Sequence, residues 1–181
     1  MSRTPHVAVC GSGPAGLAAA YNASLNGAQV TLFEQMPRCG LKLLASGGAK
    51  CNVTNALELE QFAQKFGRQW RFLLPALKKF HGRELLDFFM LNNVPLVKAD
   101  GFHYFPKSGR AKDVLDMWLD MLKCNKVNIL TSTRLERIEY DGNGISSVIA
   151  GAVKYPVDAL VLACGGKSYP ALGGRGGGYD R

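Results

Sequence analysis

Four short apolar segments of the chain have the pattern of buried parallel strands. Their side chains are mostly β-branched or small, and polar and apolar positions scarcely alternate in them. These segments are residues 5–10, 28–34, 127–130 and 159–163. Apolar residues recur at helical spacing in five other segments, at 14–26, 57–65, 68–79, 82–92 and 111–123. The first strand, the first helix and the second strand follow one another directly, which predicts a βαβ unit with a right-handed crossover.

Two further stretches predict antiparallel pairing. Residues 94–106 contain two apolar runs on either side of an Asp-Gly pair, which is typical of a hairpin. Residues 134–157 contain three strand-like runs separated by glycines, which predicts a three-stranded meander. Between the second strand and the first of the later helices, residues 37–55 predict an ordered loop with one short helical turn. Since neither a repeat nor a linker is evident, we interpret residues 1–181 as one α/β domain.

Composition excludes several classes of protein. Charged residues make up 20% and hydrophobic residues 47% of the 181 residues, which is not a disordered composition. No apolar run approaches the ~18 residues of a membrane helix, so we expect no membrane partner. The five cysteines have neither disulfide-framework nor zinc-ligand spacing, and we expect no metal site. A reducing cytoplasm is the simplest location.

The net charge of +8 is concentrated in one part of the chain. Between Glu60 and Glu84 there are six basic residues and no acidic one. The basic residues of this stretch are Lys65, Arg68, Arg71, Lys78, Lys79 and Arg83. The aromatic residues among them are Phe66, Trp70, Phe72 and Phe80. Such a mixture can bind nucleic acid. The helical spacing favours a second interpretation, amphipathic helices with aromatic residues inside and charges in water, so we do not expect nucleic acid as a partner.

A glycine fingerprint follows the first strand and opens the first helix. It reads Gly11-Ser12-Gly13-Pro14-Ala15-Gly16, and Glu34 lies at the end of the next strand. In such a motif the first glycine permits a tight turn, the second admits a pyrophosphate, and the third allows close helix–strand packing. The acidic residue accepts hydrogen bonds from ribose hydroxyls and repels the 2′-phosphate of NADP. The pattern predicts a dinucleotide site, and its spacing leaves FAD and NAD open.

Longer motifs resemble one family in order along the chain. The segments are GSGPAGLAAA, FEQMPRCGLKLLASGGAKCNVTN, DGFHYFPKSGRAKDV and LACGGKSYPALGGRGGGY. They resemble the aminoacetone-oxidase-like family of bacterial FAD-binding flavoproteins, which includes the bile-acid-operon ene-reductase. The resemblance implies a glutathione-reductase-type FAD-binding Rossmann-like domain with a parallel sheet, a helical layer and a β-meander. It also implies an oxidoreductase with FAD as cofactor and a small-molecule substrate, with NAD(P)H as donor if the enzyme is a reductase.

The resemblance also implies which residues hold the cofactor. The first glycine loop would wrap the pyrophosphate, Glu34 would bind the adenosine ribose, and the backbone of Leu135 would bind adenine. The implied cofactor-binding residues are Gly11, Ser12, Gly13, Pro14, Ala15, Gly16, Glu34, Gln35, Lys42, Gly48, Ala49, Lys50, Cys51, Asn52, Leu135, Ala163, Gly165 and Gly166. No catalytic acid or base is implied.

Three departures from the family pattern leave alternatives open. Family members commonly have Gly-Gly-Gly-Arg-Cys-Asn where this chain has residues 47–52, with Ala49 and Lys50. Gly177 replaces an acidic residue of the last glycine loop. Family proteins are about twice as long, so we expect a truncated chain without its substrate domain and final sheet elements. The alternatives are an inactive or flavin-free fragment and a basic flavoprotein that binds nucleic acid.

Several reactive residues have ordinary structural interpretations. Cys10 and Cys164 end predicted strands and are interpreted as packing residues. Cys51 is interpreted as a small buried side chain, with a redox thiol near the flavin as the alternative. His103 lies beside Tyr104 on the predicted hairpin and is expected on an exposed turn, with a substrate-facing pair as the alternative. Arg110 and Lys112 could attract an anionic substrate or could cap and solvate the helix that follows.

Overall fold

The computed structural model describes residues 3–142, 144–174 and 176. Within these residues the strands are β1 (His6–Cys10), β2 (Gln29–Phe33), β3 (Thr54–Asn55), β4 (Leu96–Lys98), β5 (His103–Pro106), β6 (Asn128–Leu130), β7 (Leu135–Asp141), β8 (Gly144–Ala150), β9 (Val153–Pro156) and β10 (Ala159–Leu162). The α-helices are α1 (Pro14–Leu25), α2 (Leu41–Ala45), α3 (Leu59–Gln64), α4 (Trp70–Leu77), α5 (Arg83–Leu91) and α6 (Ala111–Cys124). Short 3₁₀ turns cover Gly67–Gln69 and Pro170–Leu172.

The chain forms two compact units. The first contains residues 1–43 and 118–181, and the second contains residues 44–117, so the boundaries fall inside α2 and α6. Each unit has its own sheet or sheets. The predicted cofactor-binding residues are therefore divided between the units, and each unit is described separately below.

The first unit is built on a parallel sheet with the strand order β10-β1-β2-β6. Helix α1 joins β1 to β2, and its small buried residues Gly16 and Ala20 allow close packing, which confirms the predicted βαβ unit. The two edge strands are less buried than the sequence pattern predicts. In β10, an edge strand that pairs with β1, Val161 and Leu162 are exposed. The prediction of a buried strand at 159–163 is therefore wrong in its burial and right in its position.

The predicted meander is present in the same unit as β7, β8 and β9. Its inner face packs on the parallel sheet through a cluster of buried residues. The cluster consists of Ala8, Phe33, Leu135, Val148, Ala150 and Val157. Tyr155 closes its edge with its ring 5.0 Å from that of Phe33. This core anchors the carboxyl end of β2, which is where the candidate site begins.

The second unit combines the small antiparallel sheet β3-β5-β4 with α3, α4 and α5. The predicted hairpin forms β4 and β5. The prediction that the aromatic residues of the basic stretch pack inward is wrong for three of the four. Phe66, Phe72 and Phe80 are 52%, 85% and 48% exposed. For Phe72 the reason is that α4, which contains it, has no buried residue among those that the structure describes.

Candidate cofactor-binding site

The carboxyl ends of the parallel strands are aligned at one edge of the first unit. Backbone hydrogen bonds continue beyond the strands: Gly11 N–H donates to Phe33 O at 2.8 Å, and Glu34 N–H donates to Leu130 O at 2.9 Å. On the other side of β1, Ala163 N–H donates to Cys10 O at 2.8 Å. From β1 the chain continues to β2 on one side, whereas β10 lies on the other side of β1. The carboxyl edge at such a reversal of the strand order is the usual place for a ligand crevice in an open α/β sheet.

The turn after β1 requires glycine at two positions. Gly11 has φ +103°, and a Cβ there would lie 2.5 Å from the carbonyl oxygen of Ala163. A Cβ on Gly16 would lie 1.8 Å from the carbonyl oxygen of Gly11. Two backbone segments therefore approach each other at distances that any side chain would prevent. These contacts support the packing role that the fingerprint assigns to the third glycine.

Gly13 is different, because its backbone does not need glycine. Its φ is −73°, which any residue adopts, and a Cβ there would have no neighbouring atom within 4 Å. The residue lines a cavity of about 480 Å³ at the sheet edge. It also caps α1, whose first residue is Pro14, so the N–H groups of the following first turn have no partner within the helix. The space at Gly13 lies where the helix N-terminus can receive an anion.

Glu34 is held in place by the chain itself. Its Oε2 accepts hydrogen bonds from the backbone N–H and the hydroxyl of Ser12, at 2.9 and 2.5 Å. Its Oε1 accepts a hydrogen bond from the backbone N–H of Met36 at 2.8 Å. Each carboxylate oxygen has two lone pairs, so Oε1 retains one for a ligand hydroxyl. The carboxylate is thus oriented at the cavity wall before any ligand arrives.

The cavity is electropositive apart from this carboxylate. Among its described lining residues, the cations are Arg38, Lys42 and Arg134, and Glu34 is the single acid. The Lys42 ammonium lies beside the second glycine turn, 2.9 Å from the position that a Cβ on Gly165 would take. Cationic groups next to a helix N-terminus favour an anionic ligand such as a pyrophosphate.

The structure brings together many, but not all, of the residues expected to bind the cofactor. Those that line the cavity are Gly11, Ser12, Gly13, Pro14, Ala15, Glu34, Gln35, Lys42, Leu135, Ala163 and Gly165. Gln35 also reaches across it, with its side-chain N–H donating to Gly173 O at 2.9 Å. Gly16 and Gly166 do not line it. Gly177 lies outside the described residues.

Sequence reasoning missed Arg38 and Arg134 as lining residues. Arg38 follows Glu34 by four positions, and Arg134 directly precedes Leu135. Only their proximity to residues already identified could have indicated them, because an arginine in a loop is ordinarily a solvated residue.

The distinctive loop at residues 47–52 belongs to the second unit. Gly47, Gly48, Ala49 and Cys51 all have φ between +57° and +67°. Ala49 and Cys51 adopt this left-handed conformation with a Cβ, which is unfavourable for an L-residue. Cys51 is buried, and burial raises the pKa of its thiol, as expected for a packing residue. The expected place of residues 48–52 along the flavin remains a prediction.

Other polar residues of the second unit have local partners. His103 contacts the Asp100 carboxylate at 2.6 Å, and hydrogen bonds from His103 and Phe102 hold the pKa of Asp100 well below its usual range. Arg110 pairs with Asp113 at 2.9 Å, and Lys112 pairs with Asp116 at 2.5 Å, both one helical turn apart. In the part of the chain that the structure describes, no group of three His, Cys, Asp or Glu side chains could hold a metal ion.

The first unit has the features of a dinucleotide-binding domain. A glycine turn opens a helix at the carboxyl edge of a parallel sheet, and a carboxylate stands at the end of the neighbouring strand. These features define a Rossmann-like α/β domain. The chain belongs to the family described as the HI0933-like protein Rossmann domain, whose model matches residues 5–181. The resemblance to bacterial FAD-binding flavoproteins that the motifs indicated is confirmed.

Two curated relatives and one solved structure illustrate the similarity. The 3-dehydro-bile acid delta(4,6)-reductase of Clostridium scindens is 34% identical over 175 residues, covering 96% of this chain and 42% of the relative. The ribosomal RNA dihydrouridine synthase of Escherichia coli is 29% identical over 180 residues, covering 94% and 42%. A flavocytochrome c3 fumarate reductase superposes with a TM-score of 0.70 at 21% identity, covering 91% and 34%, and shows a shared fold.

The chain spans less than half the length of these two curated relatives. The structural comparison agrees with the predicted FAD-binding Rossmann-like fold. Within the described residues, none of the helices has the length and apolar character needed to cross a bilayer.

Proposed function

We propose that this chain binds FAD and forms the cofactor-binding part of a flavoprotein oxidoreductase. The observation that carries the proposal is the open position at Gly13, in the wall of a cavity at the N-terminus of α1. A side chain at this position would occupy the space that a pyrophosphate needs, whereas the backbone itself has no need of glycine. Membership of a family of FAD-binding Rossmann domains supports FAD over NAD.

Different residues of the cavity bind different parts of FAD. The first-turn N–H groups of α1 hydrogen-bond the pyrophosphate, and Arg38, Lys42 and Arg134 supply compensating charge. Glu34 accepts a hydrogen bond from the adenosine ribose, and its charge disfavours a 2′-phosphate. Bound FAD supplies electron or hydride transfer, and the protein supplies binding and orientation.

Comparing flavins tests this assignment. FMN lacks the adenosine and the second phosphate, which are the groups that the cavity is built to hold. We expect the flavin fluorescence of FAD to change saturably on titration with the chain and the change to be reversed by ADP, and we expect FMN to bind much more weakly. Equal affinity for FMN and FAD, or no displacement by ADP, would contradict the proposed site.

For the complete enzyme we propose a small-molecule substrate and NAD(P)H as electron donor. The relative from Clostridium scindens, named as a bile-acid reductase, supports this choice over an oxidase. The location that we propose is a reducing cytoplasm, in keeping with the cysteine spacing. The test is anaerobic mixing of the FAD-loaded, full-length protein with NADH or NADPH, which we expect to bleach the oxidised flavin band. Bleaching by neither donor would contradict the reductase assignment.

A second candidate function is oxidoreduction of RNA. It is favoured by the second unit, where three exposed aromatic rings lie in a stretch with six basic side chains and no acidic one. Among these cations, Arg83 pairs with Asp87 at 3.7 Å, and no other comes within 4.0 Å of a described carboxylate oxygen. Cations and exposed rings together suit a single-stranded nucleic acid. The relative named as a ribosomal RNA dihydrouridine synthase supports the same substrate class.

Charge reversal separates the two candidates. If RNA binds, single-stranded RNA should associate with a steep salt dependence, and Lys78→Glu with Lys79→Glu should weaken it. Lys123→Glu with Lys126→Glu, which makes the same change outside the basic stretch, is the matched control. Equal weakening by both pairs of substitutions, or binding insensitive to salt, would argue against an RNA site on this stretch.

A further inference from the structure

Two cysteines far apart in the sequence meet in the wall of the cofactor cavity. Cys10 is the last residue of β1, and Cys164 follows the end of β10 by two positions. Their Sγ atoms are 3.2 Å apart. Both residues line the cavity and both are partly accessible. The sequence interpretation of the two as separate packing residues did not foresee this contact.

The backbone around the pair is held on both sides. In the parallel ladder Cys10 is the partner of Leu162, and Ala163 N–H donates to Cys10 O at 2.8 Å. The glycine turn adds a third constraint, because the Cα of Cys164 lies 3.2 Å from the position that a Cβ on Gly11 would take. The two strand ends therefore cannot separate without breaking the sheet or the turn. This framework keeps the sulfur atoms together.

A disulfide needs a sulfur–sulfur distance of about 2.05 Å. Closing the gap from 3.2 Å requires a movement of about 1 Å, which side-chain rotation and the flexible glycines after Cys164 can provide. The other three cysteines, Cys39, Cys51 and Cys124, have no such sulfur–sulfur contact in the described structure. Among the cysteines that the structure describes, Cys10 and Cys164 are thus the pair whose sulfur atoms are close enough to form a disulfide after a small movement.

We propose that Cys10 and Cys164 form a redox-active dithiol in the cavity wall, which a low-molecular-weight disulfide oxidises reversibly. A thiolate of the pair attacks the disulfide RS–SR, forms a mixed disulfide and releases one RS⁻. The second cysteine, as thiolate, attacks the protein sulfur of the mixed disulfide, forms the Cys10–Cys164 bond and releases the second RS⁻. In total, two protein thiols are oxidised and one RS–SR is reduced to two RSH.

Oxidation joins the ends of β1 and β10 covalently beside the two glycine turns. It fixes Cys164 and Gly165 relative to Gly11, and these residues line the cavity together. The inference of a dithiol does not depend on the proposed FAD site, because it follows from the contact between the two sulfur atoms.

The experiment is disulfide mapping on the full chain. Reduced protein is treated with excess oxidised glutathione, the remaining thiols are alkylated, and the product is digested with trypsin without reduction. Cleavage after Lys and Arg places Cys10 in peptide 4–38 and Cys164 in peptide 155–167, and each of the other three cysteines falls in a separate peptide. We expect the cross-linked pair 4–38 with 155–167 as the main product, and its disappearance after dithiothreitol.

Two cysteine variants test which thiols the cross-link requires. With Cys10→Ser we expect a glutathione adduct to accumulate on peptide 155–167, because no second thiol is present to displace it. Cys124→Ser, which removes a thiol on α6, is the matched control and should leave the cross-link at wild-type yield. If the wild-type peptides 4–38 and 155–167 are recovered separately, whether alkylated or glutathionylated, the proposal is overturned and the contact is packing alone.

Discussion

The backbone N–H and the hydroxyl of Ser12 converge on one carboxylate oxygen of Glu34. The distances are 2.9 Å from the nitrogen and 2.5 Å from the oxygen, and Ser12 is completely buried. The second residue of the glycine fingerprint therefore does not present its side chain to a ligand. It fixes the acidic residue that the fingerprint requires 22 positions later. The glycine turn and the carboxylate of Glu34 are therefore held together before a ligand binds.

Removing the Ser12 hydroxyl should weaken the positioning of Glu34 without abolishing it. In Ser12→Ala the backbone N–H still donates to Glu34, so we expect the Kd for FAD to rise about five- to tenfold. This change is equivalent to about 1–1.4 kcal/mol, somewhat less than a whole hydrogen bond to a charged group. Fluorescence titration measures the change. Ser24→Ala removes a hydroxyl that bonds Tyr21 O on α1, and its Kd should stay at the wild-type value. Equal affinity of Ser12→Ala and wild type would show that Glu34 needs no such support.

Substitution of Gly13 should abolish cofactor binding and spare the fold. Gly13→Val places a branched side chain in the open space at the cavity wall, where its backbone conformation is acceptable. We expect an unfolding midpoint close to that of wild type and no detectable binding of FAD by titration.

The matched comparison is Gly16→Ala, three positions along the same turn. Its Cβ would lie 1.8 Å from Gly11 O, so the chain should lose stability by about 1–3 kcal/mol, which is typical of overpacking, or fail to fold. Thermal denaturation distinguishes the two variants. If Gly13→Val binds FAD normally, the cavity is not the pyrophosphate site.

Relief of backbone strain at Ala49 should stabilise the second unit. Ala49 has φ +67°, a conformation that costs an L-residue roughly 1–2 kcal/mol and that glycine adopts readily. We expect Ala49→Gly to raise the free energy of unfolding by about 1 kcal/mol, part of the relief being offset by the greater freedom of glycine in the unfolded chain. The control Ala76→Gly, at an exposed position of α4, should lower it by about the same amount. A destabilised Ala49→Gly variant would contradict the strained conformation.

The meander should contribute a pH-dependent part of the stability through Glu139. Hydrogen bonds from Lys154 Nζ and Ser147 Oγ, both at 2.8 Å, lower the pKa of Glu139 from 4.5 to about 2. A lowered pKa means that the folded state favours the ionised carboxylate. Its contribution is therefore fully present above about pH 4.5 and is lost as the pH falls towards 2.

Unfolding midpoints of wild type and Glu139→Gln measure this contribution. We expect the difference between them to be constant near neutral pH and to shrink below about pH 4.5. The effect is modest because Lys154 is exposed and the solvent screens its interaction with the half-buried Glu139. In a Lys154→Met background the same substitution should show a weaker pH dependence. A difference that grows on acidification would reverse the sign and refute the assignment.

The sequence predicted the parallel βαβ core because its signals are local. Residues 5–34 contain the strand pattern, the glycine turn, the helix and the acidic residue within one continuous segment. The meander was predicted for the same reason, since glycines separate its runs. Burial of β10 was not predicted correctly, because an apolar run at the edge of a sheet has the same pattern as one in its middle.

Features that depend on residues far apart along the chain could not be predicted from the sequence. The contact of Cys10 with Cys164 joins residues 154 positions apart and has no spacing rule. The exposure of Phe72 was missed because helical spacing shows which residues share a face and leaves open whether anything covers that face. Arg38 and Arg134 reach the cavity only through the way the loops after β2 and β6 fold.

The central claim, that these residues form an FAD site, is tested most directly by a visible absorption spectrum of the purified chain after incubation with FAD and desalting. Gly13→Val, treated identically, is the control. We expect a retained yellow flavin band in wild type and none in the variant. A colourless wild-type chain that remains colourless would contradict the claim, and an equal band in both proteins would contradict the placement of the pyrophosphate at Gly13.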